Sequence, residues 1–192
     1  MLPKYRRIGV FCGAKPSKPQ YLELAEEFGT WLGASGMDLV YGGGSTGLMG
    51  AVASSARDAG SYVTGVVPHH LLGAEGDQPQ QVELVVVRSM HERKALMYRL
   101  SDAFVTLPGG MGTLDELMEI STWAKLDLHS KPVIVLNAGG FFDGLLGLLD
   151  HAVREGMMSP ADRALVRDVT TIDAIAGVLQ APADAKTLAA TA

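Results

Sequence analysis

Short apolar, β-branched runs alternate along this chain with longer stretches of helical periodicity, and that alternation limits the available folds more than any other feature. The apolar runs fall at 7–11, 38–41, 62–67, 83–87, 103–107 and 133–136. They are nearly continuous, as strands are when helices cover both faces of a parallel sheet. Between them the spacing predicts helices near 20–35, 47–59, 90–101, 113–126 and 142–155, and a weaker strand and helix within 166–180. This order implies an α/β fold, a single-domain doubly wound parallel sheet with right-handed crossovers. The pattern fills residues 1–180 without a repeat or linker, so one nucleotide-binding-type domain is expected there. The stretch 181–192 reads as a frayed tail. Ligands of such sheets sit outside the carboxyl ends of the strands. Five segments share that edge: 12–17, 42–47, 68–81, 88–94 and 108–113.

Composition narrows the setting. A 192-residue chain that is 47% hydrophobic and 19% charged can bury roughly 70% of its unfolded surface in one core. No disulfide or structural metal is needed to hold it. Cys12 is the single cysteine, which fits a reducing, cytoplasmic setting. The start MLPKYRRIGVFCG is basic and then apolar, but its apolar part is too short for a signal peptide and reads as a first strand. No apolar run approaches the roughly 20 residues of a membrane span. Sixteen Lys and Arg against 21 Asp and Glu leave a net charge of −5 with no long basic cluster, so neither a membrane nor a nucleic acid is an expected partner. His69, His70, His91, His129 and His151 form no metal-ligand spacing, so no metal site is expected.

Two glycine turns open helices on the ligand edge. The first runs from Tyr41 to Gly50, YGGGSTGLMG. Glycine lets backbone approach a ligand, and a helix N-terminus offers free N–H groups to an anion. Gly43, Gly44, Ser45 and Thr46 are therefore expected to grip a phosphate. Gly42, Gly44 and Gly47 also match G-x-G-x-x-G, but they follow the second strand, and no acid ends the third. Leu48 and Met49 replace the Lys and Ser/Thr of a P-loop. Dinucleotide binding and ATP hydrolysis are disfavoured, and no cofactor is expected. The second turn is LPGGMGTLDELME, from Leu107 to Glu119, with Thr113 or the backbone before it as the expected cap. Glu116 and Glu119 share a helix face; Asp115 reads as solvated. Acids in a first helical turn often just complement the helix dipole. That explains Asp115 better than Glu116, whose charge would oppose a bound phosphate.

The basic counterpart is SMHERK, residues 89–94. Arg93 is expected in the first turn of its helix, against the dipole preference, which suggests an anionic partner, either a ligand or Glu116. Met90 can line an adaptable base pocket. Trp123, seven residues after Glu116, is expected on the same face, walling the pocket.

Together GGGSTGLMG, MHERK and PGGMGTLDE resemble the Lonely Guy (LOG) family of cytokinin riboside 5′-monophosphate phosphoribohydrolases, over roughly residues 6–180. The opening IGVFCGAKPS and the later STWAKLDLHSKPVIVLN are similar too. Members of this group were often labelled lysine decarboxylases, and nothing in the chain supports that label. The resemblance implies a Rossmann-like fold, a homodimer with its site near the interface, and no redox cofactor. It implies hydrolysis of N6-substituted AMP, and of AMP itself. By position, Arg93 and Glu116 match the catalytic pair. Met90, Lys94, Gly109, Gly110, Met111, Gly112, Thr113, Leu114, Asp115 and Glu119 fall in or beside the nucleotide-binding segments, and Thr122 and Glu75 match further substrate contacts. Met111 departs from the Tyr common in plant members, and AKPS at 14–17 from their Ser-Ser. A non-catalytic nucleotide carrier is the competing reading, since fold alone does not imply catalysis.

Overall fold

The apolar runs become strands almost where the pattern puts them: β1 (Arg7–Phe11), β2 (Asp38–Tyr41), β3 (Val63–Pro68), β4 (Glu83–Val87), β5 (Ala103–Thr106), β6 (Val133–Leu136) and β7 (Val166–Val169). The computed structural model describes residues 5–15, 17–72 and 82–180. All strand pairs are parallel, in the order β4-β3-β2-β1-β5-β6-β7. The chain builds outward from β1 to one edge, then returns to pair β5 on its other side. The order therefore reverses between β1 and β5, and the crevice at their carboxyl ends is the switch point where such sheets bind ligands.

Helices cover both faces. On one lie α1 (Pro19–Ala34), α2 (Gly47–Asp58) and α7 (Ile172–Gln180), packed on Ile8, Val10, Leu39, Tyr41, Val105 and Ile134. On the other lie α3 (Met90–Leu100), α4 (Met111–Lys125) and α5 (Asp143–Arg154), packed on Phe11, Val40, Phe104, Val133 and Val135. Neighbouring strand residues divide between the two layers, as the period of two requires. The short α6 (Pro160–Arg163) escaped the periodicity reading because one turn carries no period. Ser159 caps it by accepting from Asp162 N at 3.0 Å, and Pro160 occupies its first turn.

Two expectations need correction. Residues 69–71 form a 3₁₀ turn rather than open loop, Pro68 belongs to β3, and residues 73–81 lie outside the described residues. The second glycine turn ends sooner than predicted: α4 begins at Met111 with Gly110 as its N-cap, not at Thr113. Among the described residues no helix is long and apolar enough to cross a membrane.

The α1–α2 pair rests on backbone approach. A Cβ on Gly29 would lie 2.6 Å from Val52 O and 2.8 Å from Ala56 N, and would overlap Ser55 Oγ. Backbone atoms cannot swing aside. Gly29→Ala should lower the unfolding free energy by about 1–3 kcal/mol, although alanine is the better helix former by ~1 kcal/mol. Urea unfolding measures this; an unchanged or raised midpoint would show that the two helices separate freely.

Candidate active site

The crossover from β4 to β5 carries α3 back over β3, β2 and β1. Its start is fixed by reciprocal capping. Ser89 Oγ accepts from Glu92 N at 3.2 Å, and Glu92 Oε2 accepts from Arg88 N at 2.7 Å. This aims Arg93 and Met97, one turn apart, at the sheet, and both are buried. The Arg93 guanidinium lies against the end of β2, where a Cβ on Gly42 would overlap its Nη2.

Glu116 arrives from the other side of the switch point. The sheet-facing stripe of α4 is Thr113, Glu116, Leu117, Ile120 and Ala124, all buried. A carboxylate thus occupies a core position in a stripe whose other members are Thr113 and three apolar residues. With α4 starting at Met111, its first turn holds no acid, so complementing the helix dipole does not account for Asp115 or Glu116. No side chain caps this helix, and its first-turn amides have no intrahelical acceptor.

Between these elements lies a cavity of about 610 Å³, within the range of small-molecule sites. Arg93 and Glu116 meet in its wall, with Nη2 4.0 Å from Oε1 and side chains 5% and 7% exposed. That distance permits attraction but is too long for a hydrogen bond. Among the described residues Arg93 Nε has no partner, and Nη1 reaches only Met90 Sδ, a weak acceptor at 3.8 Å. A guanidinium carries five donors. Leaving such donors unmet in a buried place costs about 1–3 kcal/mol or more, so the site is built to receive acceptor atoms.

Burial pushes the Glu116 carboxyl from 4.5 up to about 7. Arg93 and Lys94 oppose that rise, and Asp115 and Glu119 add to it. Near neutral pH the group therefore holds or releases a proton readily. Burial also drives the Cys12 thiol well above its usual range, with Glu116 adding and Arg93 opposing. Cys12 is thus a neutral wall of the cavity rather than a nucleophile. Lys94, next to Arg93 in sequence, faces outward to Asp115 (3.0 Å) and Glu119 (3.1 Å). Burial works against its charge, but those hydrogen bonds outweigh it and hold the ammonium above its ordinary range.

Of the predicted site residues, the cavity gathers Met90, Arg93, Gly109, Gly110, Met111, Gly112, Thr113, Asp115 and Glu116. Asp115 is exposed, as expected, and it also pairs with Lys94 at the cavity rim. Lys94, Leu114, Glu119 and Thr122 lie outside its lining; the Thr122 hydroxyl bonds back to Met118 O at 2.7 Å. Trp123 packs edge-on against Tyr98 rather than walling the cavity. Glu75 lies outside the described residues.

From the first glycine turn Leu48 and Met49 join the lining, but Gly43, Gly44, Ser45 and Thr46 are absent from it. The start of α2 is already occupied by the loop after β1. Leu48 N and Met49 N donate to Gly13 O at 2.9 and 3.2 Å, and Thr46 Oγ1 donates to Ala14 O at 2.7 Å. Sequence reasoning missed Tyr21 and Phe141, an edge-to-face pair 5.4 Å apart that lines the cavity. The signal for Phe141 was the Asn137–Phe142 segment, NAGGFF: Gly139 and Gly140 take positive φ, and Asn137 Oδ1 accepts from Phe142 N at 2.7 Å.

Residues 49–179 match the family model described as "possible lysine decarboxylase". The chain is 49% identical over 164 residues to the probable cytokinin riboside 5′-monophosphate phosphoribohydrolase LOGL5 of Oryza sativa subsp. japonica, covering 85% of this chain and 67% of that one. It is 46% identical over 169 residues to the cytokinin riboside 5′-monophosphate phosphoribohydrolase LOG3 of Arabidopsis thaliana, covering 88% and 79%. The chain belongs to the LOG family. Among solved structures, the LOG-family fold seen here resembles the molybdenum cofactor binding protein of Rippkaea orientalis, with TM-score 0.69, 20% identity and coverage of 92% and 96%. It also resembles the molybdenum cofactor carrier protein of Chlamydomonas reinhardtii, with TM-score 0.66, 24% identity and coverage of 92% and 98%. At that identity the likeness is one of fold.

The buried carboxyl of this LOG-family chain carries a stability signature. Between pH 4.5 and about 7 the folded protein holds a proton on Glu116 that the unfolded chain has lost, so this group's contribution is full below 4.5 and disappears as pH rises through 7. The span corresponds to ~3 kcal/mol. The unfolding free energy of wild type minus that of Glu116→Gln should fall by about that amount from pH 4.5 to 8 in urea titrations. A difference flat with pH would mean that Glu116 titrates at its ordinary value.

Proposed function

We propose that this chain hydrolyses the N-glycosidic bond of adenosine 5′-monophosphate, N6-substituted or plain, releasing the free base (a cytokinin or adenine) and ribose 5-phosphate. The observation that carries the reading is the buried, under-bonded Arg93 placed 4.0 Å from Glu116. It occurs in a chain 46–50% identical to proteins named for this reaction.

Breaking the C1′–N9 bond sends its electron pair to the base and leaves positive charge on the ribose, an oxocarbenium-like state. The Glu116 carboxylate stabilises that charge and takes a proton from the water whose oxygen bonds to C1′; the departing base takes up one proton from solvent, and Glu116 returns its own to solvent, so that the free base leaves neutral. Arg93 favours the ionised carboxylate and offers its unmet donors to the departing base or ribose. The 5′-phosphate sits at the uncapped start of α4, on the amides of Gly110 to Thr113. Met90, Met111 and Asp115 border the bound nucleotide; Lys94 and Glu119 set the field around Glu116 from behind. Grip on the phosphate uses binding energy remote from the bond that breaks.

In this reading residues 1–180 form one domain, 181–192 are a tail, and the protein works in the cytoplasm as a homodimer. Its ligand is the small nucleotide, with no nucleic acid or membrane involved. The exposed apolar side chains of Met111, Leu126 and Leu128 suit a covered surface, and light scattering should give about twice the chain mass.

Glu116→Gln and Arg93→Ala should each lower kcat by about 10²–10³-fold, ~3–4 kcal/mol, with thermal unfolding still cooperative. Chromatographic base release is the measurement, and the acid limb of kcat/KM should lie near pH 7, where free-enzyme Glu116 ionises. Wild-type turnover in both variants would remove the pair from the chemistry. No base release by the wild type would favour a nucleotide carrier.

A further inference from the structure

The turn from Tyr41 to Gly50 has the glycine content of an anion site, yet its tightest approach is to the cavity's cation. A Cβ on Gly42 would overlap Arg93 Nη2 and come within 2.9 Å of Arg93 Cζ and 3.2 Å of Met49 Cε. Gly42 is buried and is not among the positive-φ residues. The position therefore needs an empty volume rather than a left-handed backbone.

Arg93 needs such a seat because little else among the described residues pins it. Its Nε is unpartnered, its Nη1 meets only a thioether at 3.8 Å, and its Nη2 stands 4.0 Å from Glu116. No strong hydrogen bond from the described residues fixes the guanidinium plane, so contact with its walls does. We infer that Gly42 is a positioning residue: the side chain missing at the end of β2 is the seat that holds the Arg93 guanidinium within reach of Glu116. This rests on the reading of Arg93 and Glu116 as the reacting pair.

Gly47 and Gly50 differ in kind. A Cβ on Gly47 would overlap Lys15 O and lie 2.7 Å from Ala14 C, and one on Gly50 would overlap Ser45 O. Those neighbours are backbone. At Gly42 the main obstacle is the far end of a flexible side chain, which can swing away while the fold stands. Alanine at Gly42 should therefore separate function from stability, whereas alanine at Gly47 or Gly50 should strain the turn itself.

The test compares wild type, G42A, R93K and G42A/R93K, with R93A and E116Q as references. Base release from AMP, thermal unfolding and the pH dependence of kcat/KM are measured on each. For G42A the expected result is a melting temperature within about 5 °C of wild type and a kcat/KM lowered by about 10²-fold. Its acid limb should move to higher pH, because the charge of Arg93 no longer opposes the burial of Glu116. The other groups acting on that carboxyl stay in place: Asp115 and Glu119 raising it, Lys94 lowering it, and Cys12, neutral, in the same cavity. R93K should cost little further activity in the G42A background, since the two changes remove one interaction. Wild-type kcat/KM and an unmoved acid limb in G42A, with R93A and E116Q impaired, would overturn the inference. So would a melting temperature lowered by more than about 10 °C, since the backbone rather than Arg93 would then have yielded. Unimpaired R93A and E116Q would instead overturn the reading of the pair on which the inference rests.

Discussion

A guanidinium buried without adequate hydrogen-bond acceptors is the constraint around which this molecule is arranged. A doubly wound sheet offers one place where a buried charge can face a ligand, the crevice beside the strand where the order reverses. Here that crevice lies between β1 and β5. The crossover after β4 must pass over the middle of the sheet to reach β5, and it brings α3, with Arg93, to one wall. The helix after β5 brings Glu116 to the other. The loops after β1 and β5 meet at the floor, where Gly13 N donates to Pro108 O at 3.0 Å. The topology thus supplies the meeting point, and the residues at two helix starts decide what meets there.

The electrostatics follow from the same burial. Removing water raises the cost of ionising Glu116, and one cation 4.0 Å away offsets this only in part, leaving the carboxyl near neutral. A stronger, bidentate Arg–Glu pair would hold the carboxylate ionised but fill the donors of Arg93 with protein atoms. The looser arrangement keeps both groups available. Lys94 shows the contrast. One residue further along the helix, it turns outward into two short ion pairs and is fully employed. Two adjacent cations, identical in formal charge, therefore have different capacities because of the direction each takes from the helix.

The fold was legible because strands buried on both faces leave an apolar run that survives in sequence whatever the loops do. The short pieces were not: α6 and the 3₁₀ turn at 69–71 are too short for a period, and the first turn of α4 was placed late. The α4 error lay in starting the helix at 113; of the two caps considered, Thr113 or the backbone before it, the backbone at Gly110 serves. The site was legible as far as types of residue at helix starts reveal it, and Arg93 and Glu116 stand together as the motifs suggested. The duty of the GGGST turn was not legible. Glycine in sequence means room for something, and nothing local says whether a phosphate or an arginine 51 positions away will fill it. Tyr21 and Phe141 were missed for the same reason, since tertiary packing alone brings α1 and the loop after β6 to one cavity.

The central claim is that this cavity binds a nucleoside 5′-monophosphate by its phosphate and breaks its glycosidic bond. The most direct measurement is base release by wild-type protein from AMP, isopentenyladenosine monophosphate and unphosphorylated adenosine in parallel. The account predicts turnover of the monophosphates, with adenosine poorer in kcat as well as in KM, because phosphate binding energy is used at the bond that breaks. Equal turnover of adenosine, or no release from any of the three, would contradict it.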